Sequence, residues 1–318
     1  MPWYNDQNRQ RRGYFLPYDL TNPLVIGISS RALFDLEEEN RIFEEQGVNA
    51  YEEYQVCHEK DILRKGAAFA LAEAFLGLNS LQEERLVEVI VMSRNSPNTS
   101  LRIFNSIDHY GLDIIRAALS GGAAIAPYLH AFETDLFLSA YRPDVQTAID
   151  SGIPAGMIVT GSVPELAPAA QIRIAFDGDA VLFSADSEWI YQHKGLDAFS
   201  EHERSKADIP MAEGPFAKFL KTIALIQSRF SDRESAPIRT ALVTSRSAPA
   251  HERAIKTLRQ WGVRVDEAFF LGGVSKKEVL SAFGAHIFFD DQAAHAEPAS
   301  ELVPSAVVPY REGQDPMK

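Results

Sequence analysis

The chain has 318 residues, 46% of them apolar and 24% charged, a composition typical of a globular protein large enough for two domains. Its net charge of −13 disfavours binding to nucleic-acid polymers, which clustered Lys and Arg would hold, but not to a small phosphorylated ligand. The single cysteine, Cys57, excludes an internal disulfide, and without an apolar signal core or a membrane-length apolar run we expect a cytoplasmic protein with no membrane partner.

Short apolar runs rich in β-branched residues predict buried strands, and the amphipathic stretches between them predict helices. This alternation is typical of an α/β fold with parallel sheets covered on both faces, in which ligands bind beyond the carboxyl ends of the strands. The predicted strands are 24–28, 87–92, 172–176, 240–244 and 286–289, and two of the predicted helices are 66–76 and 215–230.

The two halves of the chain resemble each other at four places that lie about 150 residues apart, far more than the period of a solenoid repeat. The constant spacing indicates a duplicated domain, although any two α/β halves share some rhythm of strand, turn and helix. The matching segments are 24–34 with 172–183, 47–53 with 195–201, 91–94 with 243–246, and 121–132 with 272–283.

The strongest chemical signal is Asp177-Gly178-Asp179, which follows the predicted strand 172–176. Two carboxylates two residues apart can face one site when the chain turns at the strand end, and Gly178 favours such a turn. One carboxylate could attack phosphorus, and the other could move the proton of the leaving group. A surface turn also favours Asp and Gly, so this motif alone leaves both interpretations open.

A second acidic pair, Asp290-Asp291, follows the predicted strand 286–289. Carboxylate oxygens at a strand end suit a hard cation, and Mg²⁺ takes one or two carboxylates together with substrate phosphate oxygens. A solvated strand end could carry the same residues. The two acidic strand ends in one half of the chain support each other.

Two weaker signals lie between these acidic pairs. Thr244-Ser245-Arg246 follows the predicted strand 240–244, where hydroxyls and backbone N–H groups could hold phosphate oxygens, although such residues also cap helices. Lys276 could neutralise a nucleophile and a phosphoryl group, but a single lysine is more often exposed to solvent.

The order Asp177-Gly178-Asp179, Thr244, Lys276, Asp290-Asp291 resembles the four motifs of the haloacid dehalogenase (HAD-like) superfamily of aspartate-nucleophile phosphatases. Longer segments resemble the cytosolic 5′-nucleotidase type I family, and the likeness runs from about residue 24 to 292. These segments are 28–34, 105–110, 175–184 and 286–292, with a weaker match at 256–262.

The resemblance implies an α/β fold of two tandem HAD-like Rossmannoid domains with parallel sheets, each with a small helical cap insertion. The first copy is expected to be degenerate, because Ser29, Ser30 and Arg31 replace the Asp-Gly-Asp turn, Ile125 replaces Lys276, and Ser139 and Ala140 replace the second acidic pair. The expected parts are an N-terminal extension 1–20, the degenerate domain 21–168, the catalytic domain 169–298 with its cap at about 187–236, and a loosely ordered C-terminal tail 299–318.

The resemblance further implies a Mg²⁺-dependent 5′-nucleotidase that hydrolyses nucleoside 5′-monophosphates, such as AMP, through an aspartyl-phosphate. Asp177 would be the nucleophile, Asp179 the general acid and base, Thr244 a phosphoryl ligand and Lys276 a neutralising charge. Asp177 and Asp290 would hold Mg²⁺, with Asp291 as an additional candidate ligand and the backbone carbonyl of Asp179 as a further ligand.

Candidate substrate contacts lie in both halves, and each has a structural alternative as a capping, surface or cap-core residue. They are Ser245, Arg246, Asn95, Asn98, Phe199 and His202, with Arg94 and Tyr191 as further possibilities. We expect a homo-oligomer, and a nucleotide effector is a candidate partner. Alternative functions are a phosphatase or phosphotransferase for another small phosphate ester, and a non-catalytic nucleotide-binding regulator.

Overall fold

The computed structural model describes residues 18–161, 171–230, 236–311 and Gly313. Most of the expected N-terminal extension, the boundary expected between 168 and 169, the end of the expected cap and the last residues of the expected tail lie outside the described residues. Within the described ranges, none of the helices combines the length and the apolar character that a membrane span needs.

Ten strands form one sheet and two short strands, β2 and β3, form a separate antiparallel pair within the described part of the chain. The strands are β1 (Leu24–Ile28), β2 (Phe34–Asp35), β3 (Arg64–Lys65), β4 (Val87–Ser93), β5 (Arg116–Leu119), β6 (Leu136–Ser139), β7 (Ala155–Ile158), β8 (Ile172–Phe176), β9 (Ile238–Thr244), β10 (Glu267–Phe270), β11 (Ile287–Asp290) and β12 (Ser305–Val307).

Helices connect these strands, as the parallel arrangement requires. They are α1 (Ser30–Leu33), α2 (Glu37–Cys57), α3 (Phe69–Gly77), α4 (Leu101–His109), α5 (Ala126–Ala131), α6 (Arg142–Asp150), α7 (Asp186–Ser205), α8 (Ala217–Ser228), α9 (His251–Gln260), α10 (Lys276–Phe283) and α11 (Ala293–Ala299). The five predicted strands and both predicted helices are confirmed to within a few residues at each end.

The large sheet has the strand order β10-β9-β8-β11-β12-β7-β6-β1-β4-β5. Its inner strands are buried along most of their length, and in β1 all five residues from Leu24 to Ile28 are buried. Helices cover both faces of the sheet, so side chains on both faces of a strand are buried. The strand sequences are therefore mostly apolar. The prediction of an α/β fold with a mostly parallel sheet is confirmed, but the sheet is continuous through both halves of the chain.

The central pair β7–β12 is antiparallel, whereas all the other neighbouring pairs in the described sheet are parallel. The five strands of the first half therefore run opposite to the five strands of the second half. As a consequence, the carboxyl ends of β1 and β4–β7 lie at one edge of the sheet, and those of β8–β12 lie at the opposite edge.

Each half of the sheet has the same internal order, because β5-β4-β1-β6-β7 matches β10-β9-β8-β11-β12. Local hydrogen bonds recur at matching places. The backbone N–H of Leu63 donates to Ser106 Oγ at 3.0 Å, and that of Met211 donates to Thr257 Oγ1 at 3.0 Å. The long helices α2 and α7 also bend alike, at Gly47 with φ 84° and at Gly195 with φ 80°.

Residues 299–311 are not a loosely ordered tail, so the expectation is wrong for this described part of the segment. Residues 305–307 form β12, which pairs with β11 on one side and with β7 on the other. The strand is short and follows Pro304, so its apolar pattern is too brief to stand out in the sequence. It completes the core and joins the two halves of the sheet.

Candidate active site

The Asp177 carboxylate lies where β8 ends, in the middle of the second half-sheet. The backbone N–H of Asp177 donates to the carbonyl of Phe289 in the adjacent strand β11, at 2.8 Å. The chain then makes a wide turn that is closed by the Phe183 N–H on the Gly178 carbonyl at 2.9 Å. Within this turn Ala180 has a φ of 61°, a strained backbone conformation of the kind that clusters at functional sites.

Thr244, at the end of β9, lies directly beside this turn. A Cβ atom on Gly178 would lie 3.2 Å from Thr244 Oγ1, so a larger residue there would crowd the Thr244 side chain. Thr244 is buried, and its hydroxyl accepts the backbone N–H of Arg246 at 3.2 Å. The ends of the two neighbouring strands β8 and β9 are therefore in contact, as predicted from the motif order.

Lys276 connects two of the predicted acidic residues. It is buried at the start of α10, and its Nζ donates to Asp177 Oδ1 at 2.7 Å and to Asp290 Oδ2 at 2.6 Å. Burial alone would lower the pKa of Lys276, but the two carboxylates raise it above its usual range. Lys276 is thus a fixed positive charge between the strand ends of β8 and β11.

One positive side chain faces three buried carboxylates here. Asp177, Asp290 and Asp291 each present an oxygen, and these oxygens lie within 4.8 Å of one another. Burial raises the pKa of Asp177 to about 7, although Lys276 opposes this. Burial and the neighbouring Asp177 and Asp290 also raise the pKa of Asp291 well above its usual value, whereas Lys276 and His295 outweigh burial and lower that of Asp290. The cluster therefore has the oxygen donors and the uncompensated charge that suit a divalent cation such as Mg²⁺.

Arg246 holds the carboxylate of Asp179 away from this cluster. Its Nε and Nη2 donate to the two oxygens of Asp179 at 2.7 and 2.6 Å, a bidentate arrangement. Its Nη1 donates to Glu203 on α7, so one buried guanidinium links the turn after β8 to the long helix. The side chain of Asp179 is consequently near Asp177 in sequence but is engaged in a separate ion-pair network.

Glu203 is a functional candidate that the sequence did not reveal. It is 1% exposed, and it accepts hydrogen bonds from Ser187 Oγ at 2.8 Å and from Arg253 Nη1 at 2.9 Å, in addition to Arg246. Its position in a polar helix resembles that of any surface glutamate, so the pattern of the sequence holds no signal for it. The network secures α7 over the second half-sheet.

The predicted cap contacts have different surroundings. Phe199 packs beneath Arg246, with the guanidinium carbon 5.3 Å from the ring centre, and Tyr191 contacts Phe199 edge to face. His202 lines a separate cavity of about 160 Å³, and burial lowers its pKa. Ser245 is exposed. Contact of these residues with a substrate stays a prediction.

Comparison with known proteins decides the family. A family model described as 5′-nucleotidase matches residues 16–315. The human protein named cytosolic 5′-nucleotidase 1B is 39% identical over 291 residues, which cover 88% of this chain and 48% of that relative.

The chain belongs to the 5′-nucleotidase family. It spans about half the length of this curated relative. Among solved structures, histidinol dehydrogenase from Elizabethkingia anophelis aligns with a TM-score of 0.21 and 10% identity, covering 89% of this chain and 79% of that one. A similarity this low carries no argument about fold or function.

In this 5′-nucleotidase family member, Asn95 and Asn98 are not substrate contacts for a site at Asp177 of the same chain, which corrects the prediction. They follow β4, which lies six strand positions from β8, or roughly 29 Å at the usual strand spacing. They also lie at the opposite edge of the sheet, because the half-sheets run in opposite directions. The strand ends of the two halves do not converge, because β7 and β12 pair antiparallel.

Tyr310 is a second residue that the sequence did not reveal. Its hydroxyl donates to Asp291 Oδ2 from the segment that follows β12. The residue lies in the segment expected to be a loose tail, so only the course of β12 through the sheet brings it to the cluster. Tyr310 fixes the orientation of one of the three carboxylates.

Proposed function

We propose that the second half of the chain is a Mg²⁺-dependent 5′-nucleotidase, which converts nucleoside 5′-monophosphates to nucleoside and phosphate with Asp177 as the covalent nucleophile. The observation that carries the proposal is the buried Lys276 bridge between Asp177 and Asp290. Family membership supports nucleotide hydrolysis, and the name of the human relative supports a cytosolic location.

The chemistry assigned to this chain has two steps. Asp177 attacks the phosphorus of the 5′-phosphate, the bond from phosphorus to O5′ breaks, and Asp179 gives a proton to O5′ as the nucleoside leaves. Asp179 then takes a proton from a water molecule, which attacks the phosphorus of the aspartyl-phosphate and releases phosphate and free Asp177. Lys276 and Thr244 hold the oxygens of the transferring group.

Asp179 can exchange protons with substrate only when its ion pair with Arg246 opens. Because Arg246 also binds Glu203 of α7, movement of this helix and release of Asp179 are coupled in the proposed cycle. Arg246 then becomes available to the phosphate of the substrate, in agreement with its prediction as a substrate-binding residue. A guanidinium suits this role because it binds carboxylates and phosphates in the same bidentate way.

Asp177, Asp290 and Asp291 would hold Mg²⁺, with the backbone carbonyl of Asp179 as a further ligand. The bound ion would neutralise charge on the transferring phosphoryl group. The three carboxylates that converge at the strand ends support this assignment, because their mutual repulsion is only partly offset by Lys276.

We further assign the fold to two tandem HAD-like domains with a degenerate first copy, capped by α2 and α7. The shared strand order and the matching bends of α2 and α7 support this duplication. The first copy has Ser29, Arg31 and Ser139 at the places of Asp177, Asp179 and Asp290, so it has lost the proposed catalytic acids.

A phosphate-release assay tests the proposal with a panel of nucleoside monophosphates and sugar phosphates, each with Mg²⁺ and with EDTA. We expect release from nucleoside monophosphates that requires Mg²⁺. Equal turnover of sugar phosphates would favour a general phosphatase, and nucleotide binding without turnover would favour a non-catalytic regulator.

A further inference from the structure

The first half of the chain contains a cavity of about 440 Å³ at the carboxyl ends of its strands. Its floor includes Ser29 and Ser30 after β1, Ser93 at the end of β4 with Arg94 after it, and Ser139 at the end of β6. The volume is within the range of small-molecule pockets. This cavity lies at the opposite edge of the sheet from Asp177, so it is separate from the proposed catalytic site.

The backbone at the floor of this cavity makes the same hydrogen bonds as the backbone at the proposed catalytic site. The N–H of Ser29 donates to the Leu138 carbonyl at 2.8 Å, just as that of Asp177 donates to the Phe289 carbonyl at 2.8 Å. The backbone N–H of Asn95 donates to Ser93 Oγ at 3.2 Å, as that of Arg246 does to Thr244 Oγ1. Ser93 therefore matches Thr244, and the sequence-based match of 91–94 with 243–246 is wrong by one residue.

The glycine turns that flank the two sites also agree in conformation. Gly121 and Gly122 have φ of 58° and 93°, and Gly272 and Gly273 have φ of 58° and 91°. The loop framework that surrounds a phosphate in the proposed catalytic half is therefore present in the first half.

The chemistry of the floor differs from that of the catalytic half. Serines replace the nucleophile and a metal-ligand carboxylate, and Arg31 replaces Asp179. The catalytic half needs a cation before its acids can accept a phosphate, but hydroxyls and guanidinium groups bind phosphate oxygens directly. Arg31 and Arg94 are held in ion pairs by Glu37 and Asp144, and part of each guanidinium faces solvent. The floor is thus suited to an anion without a metal.

The opposite wall, formed by α2, has another character. It presents the rings of Phe43, which is 48% exposed, and of Tyr51, together with the carboxylates of Glu44 and Glu52. Rings can pack against a planar base, and carboxylates can accept hydrogen bonds from ribose hydroxyls or amino groups. One wall suits a nucleoside and the floor suits a phosphate.

From the contrast between the floor and the α2 wall, we infer that the first half binds a nucleoside phosphate. This binding site requires no metal and performs no hydrolysis. The serine and arginine replacements convert a metal-dependent phosphate site into a metal-independent one on the same backbone. The inference goes beyond the proposed function and does not require turnover at Asp177.

Isothermal titration calorimetry of the full chain in EDTA tests this inference, with AMP, adenosine and inorganic phosphate as probes. We expect one AMP per chain that Arg94→Gln weakens about tenfold or more, as expected for loss of a charge-assisted contact. Thr244→Val, which alters the catalytic half, should leave this binding intact, as should Arg41→Gln, the same arginine change at an exposed site on α2. Adenosine and inorganic phosphate should each bind at least about tenfold more weakly than AMP.

Several results would overturn the inference. They are no AMP binding in EDTA, binding that depends on Thr244 but not on Arg94, and adenosine or phosphate binding as tight as that of AMP. Photolabelling of the unmodified protein with an azido-AMP in EDTA checks the location without any variant. We expect labelled peptides from α2, and labelling confined to α7 would contradict the assignment.

Discussion

Glu203→Gln tests the ion-pair network that holds α7 over the catalytic half. The carboxylate is buried against two guanidinium groups, those of Arg246 and Arg253. Removal of one partner from a buried ion pair leaves uncompensated charge and costs about 3–5 kcal/mol. Because glutamine keeps one oxygen acceptor, we expect a loss of about 3 kcal/mol in the free energy of unfolding, measured by urea denaturation.

The first half of the chain suggests a second substitution that should restore part of the stability lost in Glu203→Gln. In the first half, Glu39 corresponds to Ser187 and Gln55 corresponds to Glu203, so the carboxylate is at the other of the two positions. Glu39 accepts from Arg102 at 2.6 Å. The double variant Ser187→Glu/Glu203→Gln should therefore recover about half of the loss, because the new glutamate can pair with Arg253 but not fully with Arg246.

Glu201→Gln, in an exposed ion pair on the same helix, serves as the control and should change stability by less than about 0.5 kcal/mol. The reasoning would be refuted if Glu203→Gln were as mild as the Glu201→Gln control. It would also be refuted if the double variant were no more stable than the Glu203→Gln single variant.

Three further predictions concern the second half. His286 is buried and accepts a backbone N–H from β8, and burial lowers its pKa. Its contribution to stability is therefore complete above a pH of about 6.5 and falls as the pH decreases below that value. His286→Asn keeps an acceptor for this N–H, as Asp135 provides one at the matching first-half position, and should flatten the stability difference between buffers at neutral and mildly acidic pH; an unchanged slope would contradict this. Tyr310→Phe removes the donor to Asp291 and should raise the Mg²⁺ concentration for half-maximal turnover about 10- to 100-fold, whereas an unaltered Mg²⁺ titration would exclude the orienting role. Lys276→Met should reduce kcat about 100-fold or more, while Lys277→Met, which loses only an exposed ion pair, should retain wild-type turnover; equal effects of the two changes would be inconsistent with the assigned charge.

The sequence predicts the parts of the fold that local patterns determine. Strands such as β1 and β8 consist mostly of apolar residues, with Arg173 as the charged exception in β8. Each catalytic candidate ends a strand, follows one within a few residues or begins a helix. The carboxyl ends of neighbouring parallel strands meet, and β8 lies between β9 and β11, so Asp177, Thr244 and Asp290 come together as the resemblance implied. Lys276 lies between Asp177 and Asp290, a position that the structure adds to the neutralising role implied by the resemblance.

The parts that the sequence did not predict depend on long-range contacts. β7 and β12 are only four and three residues long, so nothing in their pattern indicates that they would pair antiparallel and join the halves. That single pairing reverses the second half-sheet and separates Asn95 from Asp177. The Arg246–Glu203 contact links residues 43 positions apart, and a buried ion pair at that distance leaves no periodic signal.

The central claim is that Asp177 carries the phosphoryl group. The most direct measurement is a rapid acid quench of the protein with Mg²⁺ and AMP labelled with ³²P, followed by mapping of the labelled peptide. We expect an alkali-labile label on the peptide that contains Asp177, and neither label nor turnover in Asp177→Asn. Turnover that persists in Asp177→Asn, or a label on a different residue, would contradict the account.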